Sequence, residues 1–100
     1  MKNLSPEIVE LIQQEIKHPM YYVDFPDDIP NGIWKDGAGK FHYMSDMGLD
    51  HLKASIRMVE RDIKRLEQSL LPEEVIAVLA PKAAGVLGQL KSEFRKRAQL

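Results

Sequence analysis

The chain has 100 residues, 44% of them hydrophobic and 29% charged, with a net charge of −1. That is the make-up of one ordinary globular domain with a modest core, and it provides no bulk field to draw the chain to nucleic acid or anionic lipid. The absence of cysteine excludes a disulfide framework, a thiolate zinc site and a cysteine nucleophile, and it fits a reducing cytoplasm.

The first residues are interrupted by Glu7, Glu10 and Glu15, which a signal peptide does not tolerate. No window approaches the roughly 18 apolar residues of a membrane span. The expectation is a cytoplasmic protein with no membrane contact. Charge is uneven along the chain. Residues 1–32 hold two basic and six acidic side chains, a net −4, and residues 82–100 hold five basic and one acidic, a net +4.

Ser5-Pro6-Glu7 has the form of a helix start, with a capping hydroxyl, a proline at the first position and an acid at the positive end of the dipole. Leu4 and Val9 have the spacing of a hydrophobic staple. Ile8, Leu11, Ile12 and Ile16 then make one apolar face, and Pro19 ends the helix near Lys17 or His18. Residues 19–32 are punctuated by Pro19, Pro26, Pro30 and Asn31-Gly32, with one short strand expected over residues 21–25. Trp34, the Asp36-Gly37-Ala38-Gly39 turn and Lys40-Phe41-His42-Tyr43 read as a β-hairpin, with Phe41 and Tyr43 on one face and Trp34 across from them. Asp36-Gly37 is expected to supply the positive φ of the turn.

Ser45 or Asp46 is the expected cap of the next helix. Its apolar positions are Leu49, Leu52, Ile56, Val59, Ile63, Leu66 and Leu70, spaced 3, 4, 3, 4, 3, 4. Such a heptad seam over residues 49–70, about 33 Å long, needs a helical partner. On the other face Glu60 and Lys64 form a favourable i, i+4 pair. Leu71-Pro72-Glu73-Glu74 starts a further helix, and Pro81 is expected to end or kink it. Leu87, Leu90 and Phe94 give the last apolar face. Ala80, Ala83, Ala84, Gly85 and Gly88 are small enough for close helix approach, and Lys91, Arg95, Lys96 and Arg97 crowd the end.

No motif carries chemistry. Asp36-Gly-Ala-Gly-Lys40 lacks the spacing and the Ser/Thr of a phosphate loop. Asp24, Asp27 and Asp28 do not have calcium-loop spacing. His42, Asp46, Asp50 and His51 lie close together in sequence, but capping and surface hydrogen bonding account for them more simply than metal binding or catalysis. The reading is therefore no enzyme, no catalytic residue, no metal and no cofactor.

Residues 34–61 resemble a group of small proteins of bacteriophage and prophage genomes. In these a Trp and an Asp-Gly turn lead into a strand, followed by Asp-Met, three residues, His-Leu, three residues, Ile, and an aliphatic before Glu-Arg. Here the matching residues are Trp34, Asp36-Gly37, Asp46-Met47, His51-Leu52, Ile56 and Val59-Glu60-Arg61, about a quarter of the chain. The resemblance implies a hairpin–helix unit and a phage setting in a host cytoplasm, not a reaction. Within that unit it implies that Asp46 caps the helix and that His51 folds back toward the hairpin aromatics.

The expected fold is α+β and mostly α, a single domain over residues 1–100. It comprises an N-terminal helix (1–18), an extended segment and β-hairpin (19–44), a long amphipathic helix (46–70) and a C-terminal kinked helix or helix pair (72–98). The expected function is that of a small non-enzymatic interaction protein, a phage-derived accessory or anti-defence factor that binds a host macromolecule and forms a homodimer or higher oligomer. Tyr21, Tyr22, Phe25, Leu49, Ile56, Ile63 and Leu70 are the expected protein-interaction residues. The alternative is a nucleotide- or nucleic-acid-binding module at a subunit interface, with Arg57, Arg61, Trp34, Tyr43, Arg95 and Arg97 as ligand contacts.

Overall fold

Three helices and one two-stranded antiparallel hairpin make up the computed structural model, which describes residues 4–25 and 29–98. Pro26, Asp27 and Asp28 lie outside the described residues.

Helix α1 spans Pro6–Lys17 and starts as its sequence dictates, with the Ser5 hydroxyl accepting from the Ile8 N–H at 3.3 Å. Ile8, Leu11, Ile12 and Ile16 pack against the core. Leu4 and Val9 remain exposed, so the staple contributes little burial.

The strand expected over residues 21–25 is instead a 3₁₀ turn, Tyr21–Val23. Met20, Tyr22 and Val23 are all buried. An extended strand points alternate side chains to opposite faces and cannot bury two neighbours on one side, whereas the tight turn brings all three inward. Strand β1 (Ile33–Lys35) pairs with β2 (Phe41–Tyr43), with Trp34 opposite His42 and Ile33 opposite Tyr43. Trp34 therefore shares a face with His42, not with Phe41 and Tyr43. The positive φ of the turn falls at Gly39 (φ 85°) and not at Gly37.

A second 3₁₀ turn, Met44–Asp46, precedes helix α2 (Leu49–Glu67). Neither Ser45 nor Asp46 caps the helix; the cap position is Gly48, which has no side chain to offer. Burial of both Met44 and Met47 draws this segment into the turn and delays the helix start.

The innermost line of α2 is Leu52, Ser55, Val59, Asp62 and Leu66, with the leucines and the valine fully buried and Ser55 and Asp62 4% and 6% exposed. The heptad is thus half right. Its Leu52–Val59–Leu66 set is core and Ile56 and Ile63 flank it, but Leu49 is 44% exposed and Leu70 lies beyond the helix end in full solvent. Glu60 reaches across to Lys91 (3.2 Å).

The partner of that face is helix α3, Glu73–Ala98, through Val75, Leu79, Ala83, Val86 and Leu90. The seam is an internal helix–helix core. Helix α3 runs through Pro81 as one 26-residue element and not as a helix pair. Pro81 removes the N–H that would bond the Ala77 carbonyl, at a cost of about 3 kcal/mol in a helix interior. Both residues face solvent, so water can satisfy the freed carbonyl. No described helix is long and apolar enough to cross a membrane.

Candidate interaction face

The hairpin is short, and three-residue strands do not hold a shape alone. Three sets of contacts fix it. Within the turn, one Asp36 carboxylate oxygen accepts the N–H groups of Ala38 and Lys40, each at 2.9 Å, and the other lies 2.6 Å from His42 Nε2. The His42 bond, then the Lys40 N–H, hold the Asp36 carboxyl down to about 2, because each favours the ionised form.

Below the hairpin, Trp34 stacks on Tyr22 with ring centroids 5.4 Å apart, and Tyr21 meets the edge of Tyr22 at 5.5 Å. The Tyr22 hydroxyl donates to Asp62 Oδ2 at 2.6 Å. Burial first, then that bond to a carboxylate, push the Tyr22 phenol far above its ordinary ionisation range. Asp62 faces Arg65, whose guanidinium makes a paired contact with Glu15 at 3.0 and 3.2 Å. The Glu15 bonds hold the Arg65 pKa up. A polar chain thus runs from α1 through α2 to the ring on which Trp34 rests.

At the base of the hairpin, Gln89 of α3 accepts the Gly32 N–H at 2.7 Å. Arg97, near the end of α3, donates to the Ser45 carbonyl at 3.0 Å and to the Met47 carbonyl.

The outer side of β2 is open. Phe41 is 47% and Tyr43 63% exposed. Met44 N–H bonds the Gly32 carbonyl and Asp36 N–H bonds the Lys40 carbonyl. In that antiparallel register Trp34 and His42 face each other with their backbone groups, while those of Phe41 and Tyr43 point away from β1. Lys35 sits 6.0 Å from the Phe41 ring centre and is held by the Asp24 carbonyl at 2.9 Å.

Two open grooves flank this frame, and a third lies along α2 and α3. One of about 550 Å³ lies between Tyr43 and the Gly85, Gly88, Ser92 and Lys96 side of α3. Another, of about 270 Å³, is lined by Tyr21, Trp34, Asp36, His51 and Met58. His51, exposed, lines this groove together with Tyr21 and Trp34. The third, of about 620 Å³, lies over Arg61, Ile63, Lys64 and Leu87.

The expected ligand arginines do not converge. Arg57 and Arg95 are exposed, Arg61 lines the third groove, and Arg97 is occupied by backbone carbonyls. Among the expected interaction residues, Tyr22 is buried and Tyr21 and Phe25 pack against the core. Ile56 and Ile63 do the same, and only Leu49 and Leu70 are free surface. Among the described residues no group of three or more His, Asp or Glu side chains has the placement to hold a metal ion.

Sequence reasoning gave Asp62 no role. Its position, three residues after Val59 and four before Leu66, puts it on the buried face and was the available signal. No family model, no curated protein and no solved structure matches the chain.

Proposed function

We propose that the protein is a non-enzymatic interaction protein that binds a host macromolecule through strand β2. The observation that carries this reading is the exposure of Phe41 and Tyr43 on a strand whose partner strand is locked to the core through Trp34. Large aromatics, tyrosine above all, supply much of the energy at protein interfaces. Because the strand is already ordered, little conformational entropy is lost when a partner docks. The outward backbone groups of Phe41 and Tyr43 suit an extended partner segment laid alongside β2. The motif over residues 34–61 supports a phage accessory or anti-defence role in a host cytoplasm. The nucleotide-binding alternative has less support, because Arg97 is already occupied and Arg61 and Tyr43 line different grooves.

The test compares affinity capture from host cells by the natural chain and by the Phe41→Ser/Tyr43→Ser variant, with proteins identified by mass spectrometry. The expected result is a specific host protein that crosslinks to a photoreactive group at position 43 and is lost with the variant, at unchanged melting temperature. Identical captures by both chains, or no specific protein with either, would refute the reading.

A further inference from the structure

The side of α3 opposite its buried face is unpartnered and nearly uncharged. Ala77, Pro81, Ala84, Gly85 and Gly88 lie along it, all exposed, at the 3- and 4-residue spacings of one helix face. Between Val75 and Leu90 the only charged residue is Lys82. Glycine and proline are the least favourable residues in a helix interior, and nothing within the chain accounts for them here. A Cβ added at Gly85 or Gly88 meets no atom within 4 Å.

The ends of the same face are oppositely charged, with Glu73 and Glu74 in the first turn and Arg95, Lys96 and Arg97 in the last. Among the described residues Glu73, Glu74, Arg95 and Lys96 make no ion pair. Glu74 and Arg95 stand about 32 Å apart along the helix, well beyond the roughly 8 Å over which exposed charges act in physiological salt. They cannot neutralise each other within one chain.

We infer that a second copy of this chain packs antiparallel against the outer face of α3, with the twofold axis between Ala84 and Gly85. The face is self-complementary in that one register. Glu74 meets Arg95 of the copy near the centre line of the contact. The Pro81 ring falls opposite Gly88, so bulk meets a gap on both sides of the axis. Ala77, whose carbonyl Pro81 leaves outside the helical ladder, falls opposite Ser92, which carries a hydroxyl donor. The small residues at the centre permit the close approach that brings these groups together, and the two helix dipoles run in opposition. A parallel pair would instead set Glu74 against Glu74 and Arg95 against Arg95. An isologous contact of this kind closes at two copies. The inference stands on α3 and does not depend on the β2 reading; Phe41 lies outside the contact, while Tyr43 borders it in the groove it shares with Gly85 and Gly88.

The test is the solution mass of the full chain by light scattering and sedimentation, with charge-reversed and bulky variants. A mass of two 11.4 kDa chains is expected. Gly88→Leu fits the monomer but fills the gap that Pro81 of the copy needs, so it raises the dimer dissociation constant at least tenfold while circular dichroism stays unchanged. Glu74→Arg and Arg95→Glu each weaken the dimer, and the double reversal restores it, because the antiparallel register pairs these two positions. A monomeric mass at about 100 µM, far above typical specific dissociation constants, overturns the inference. A dimer indifferent to Gly88→Leu, or one that the double reversal fails to restore, overturns it equally.

Discussion

Replacing Tyr22 with phenylalanine removes one hydroxyl and keeps the ring on which Trp34 stacks. The lost group donates the 2.6 Å bond to Asp62 Oδ2. Asp62 is 6% exposed, and its other oxygen lies 3.8 Å from Arg65 Nε, too far for a hydrogen bond. The variant therefore leaves a buried carboxylate without its close donor. A hydrogen bond to a charged group contributes about 1.5–3 kcal/mol, and the desolvated acceptor left behind places the cost in the upper half of that span. For a domain of about 100 residues each kcal/mol moves the melting temperature by about 4–8 °C, so a fall of at least about 8 °C is expected. Thermal and urea unfolding followed by circular dichroism measure it, and the near-ultraviolet signal of Trp34 reports whether the stack survives. A cycle with Asp62→Ala should give a coupling energy of about 1.5–3 kcal/mol. A melting temperature within about 2 °C of the natural chain, or a coupling energy below about 0.5 kcal/mol, would show that Asp62 reaches water and that the bond does not hold the fold.

Asp36 should titrate far below an ordinary carboxylate, because its charged form is hydrogen-bonded in the folded turn. Its value falls from 3.8 to about 2, so its contribution to hairpin stability is present in full above 3.8 and is lost as the pH drops through about 2. The Ala38 and Lys40 amide shifts, followed by nuclear magnetic resonance, should move with a midpoint near that lower value and stay flat in Asp36→Asn; a midpoint in the ordinary carboxylate range contradicts the geometry. Arg97→Ala should free the Ser45 and Met47 carbonyls, at a cost of about 1–3 kcal/mol. Hydrogen exchange across residues 43–48 should accelerate, and Arg97→Lys should rescue it only in part, because one amine lacks the fork that spans two carbonyls. Unchanged exchange in that segment would mean that α3 does not anchor it.

The helices and the hairpin were legible because each carries its own local signal. Ser5-Pro6 capped α1 as expected, and Leu52, Val59 and Leu66 marked the inner line of α2. The errors share a cause, which is that tertiary burial outweighed a local pattern. Residues 21–23 have strand-forming side chains, yet the core takes Met20, Tyr22 and Val23 together, and only a tight turn presents all three. Leu49 and Leu70 continue the heptad in sequence, but Leu49 is the first residue of α2 and Leu70 lies beyond its end at Glu67. Ser45 and Asp46 are good caps by type, yet the burial of Met44 and Met47 set the helix boundary at Gly48 instead. Pro81 should break a helix, but here Ala77 and Pro81 both lie on the exposed side of α3, where water can satisfy the carbonyl that loses its donor.

The residues that looked functional by type are largely those the fold already uses. Arg97 ties α3 to the turn before α2, Arg65 holds Glu15, and Tyr22 holds Asp62 beneath Trp34. Each makes contacts that explain its presence, so none needs a ligand. The reverse holds for Phe41, Tyr43, Pro81, Gly85 and Gly88. Two are large aromatics left in water and three are poor helix formers with open space above them. Contacts within one chain cover about half of Phe41 and leave Tyr43, Pro81, Gly85 and Gly88 largely open. An interaction surface is best sought where residue type and intramolecular contact disagree. Here that disagreement is concentrated on two surfaces, the outer edge of β2 and the outer face of α3, which adjoin at Tyr43. The polar chain from Glu15 to Tyr22 holds both surfaces in fixed relation by locking the hairpin onto the helices. A partner that adds to β2 in a twofold assembly would therefore meet two copies of its site held in one geometry, a property that neither the hairpin nor α3 has alone.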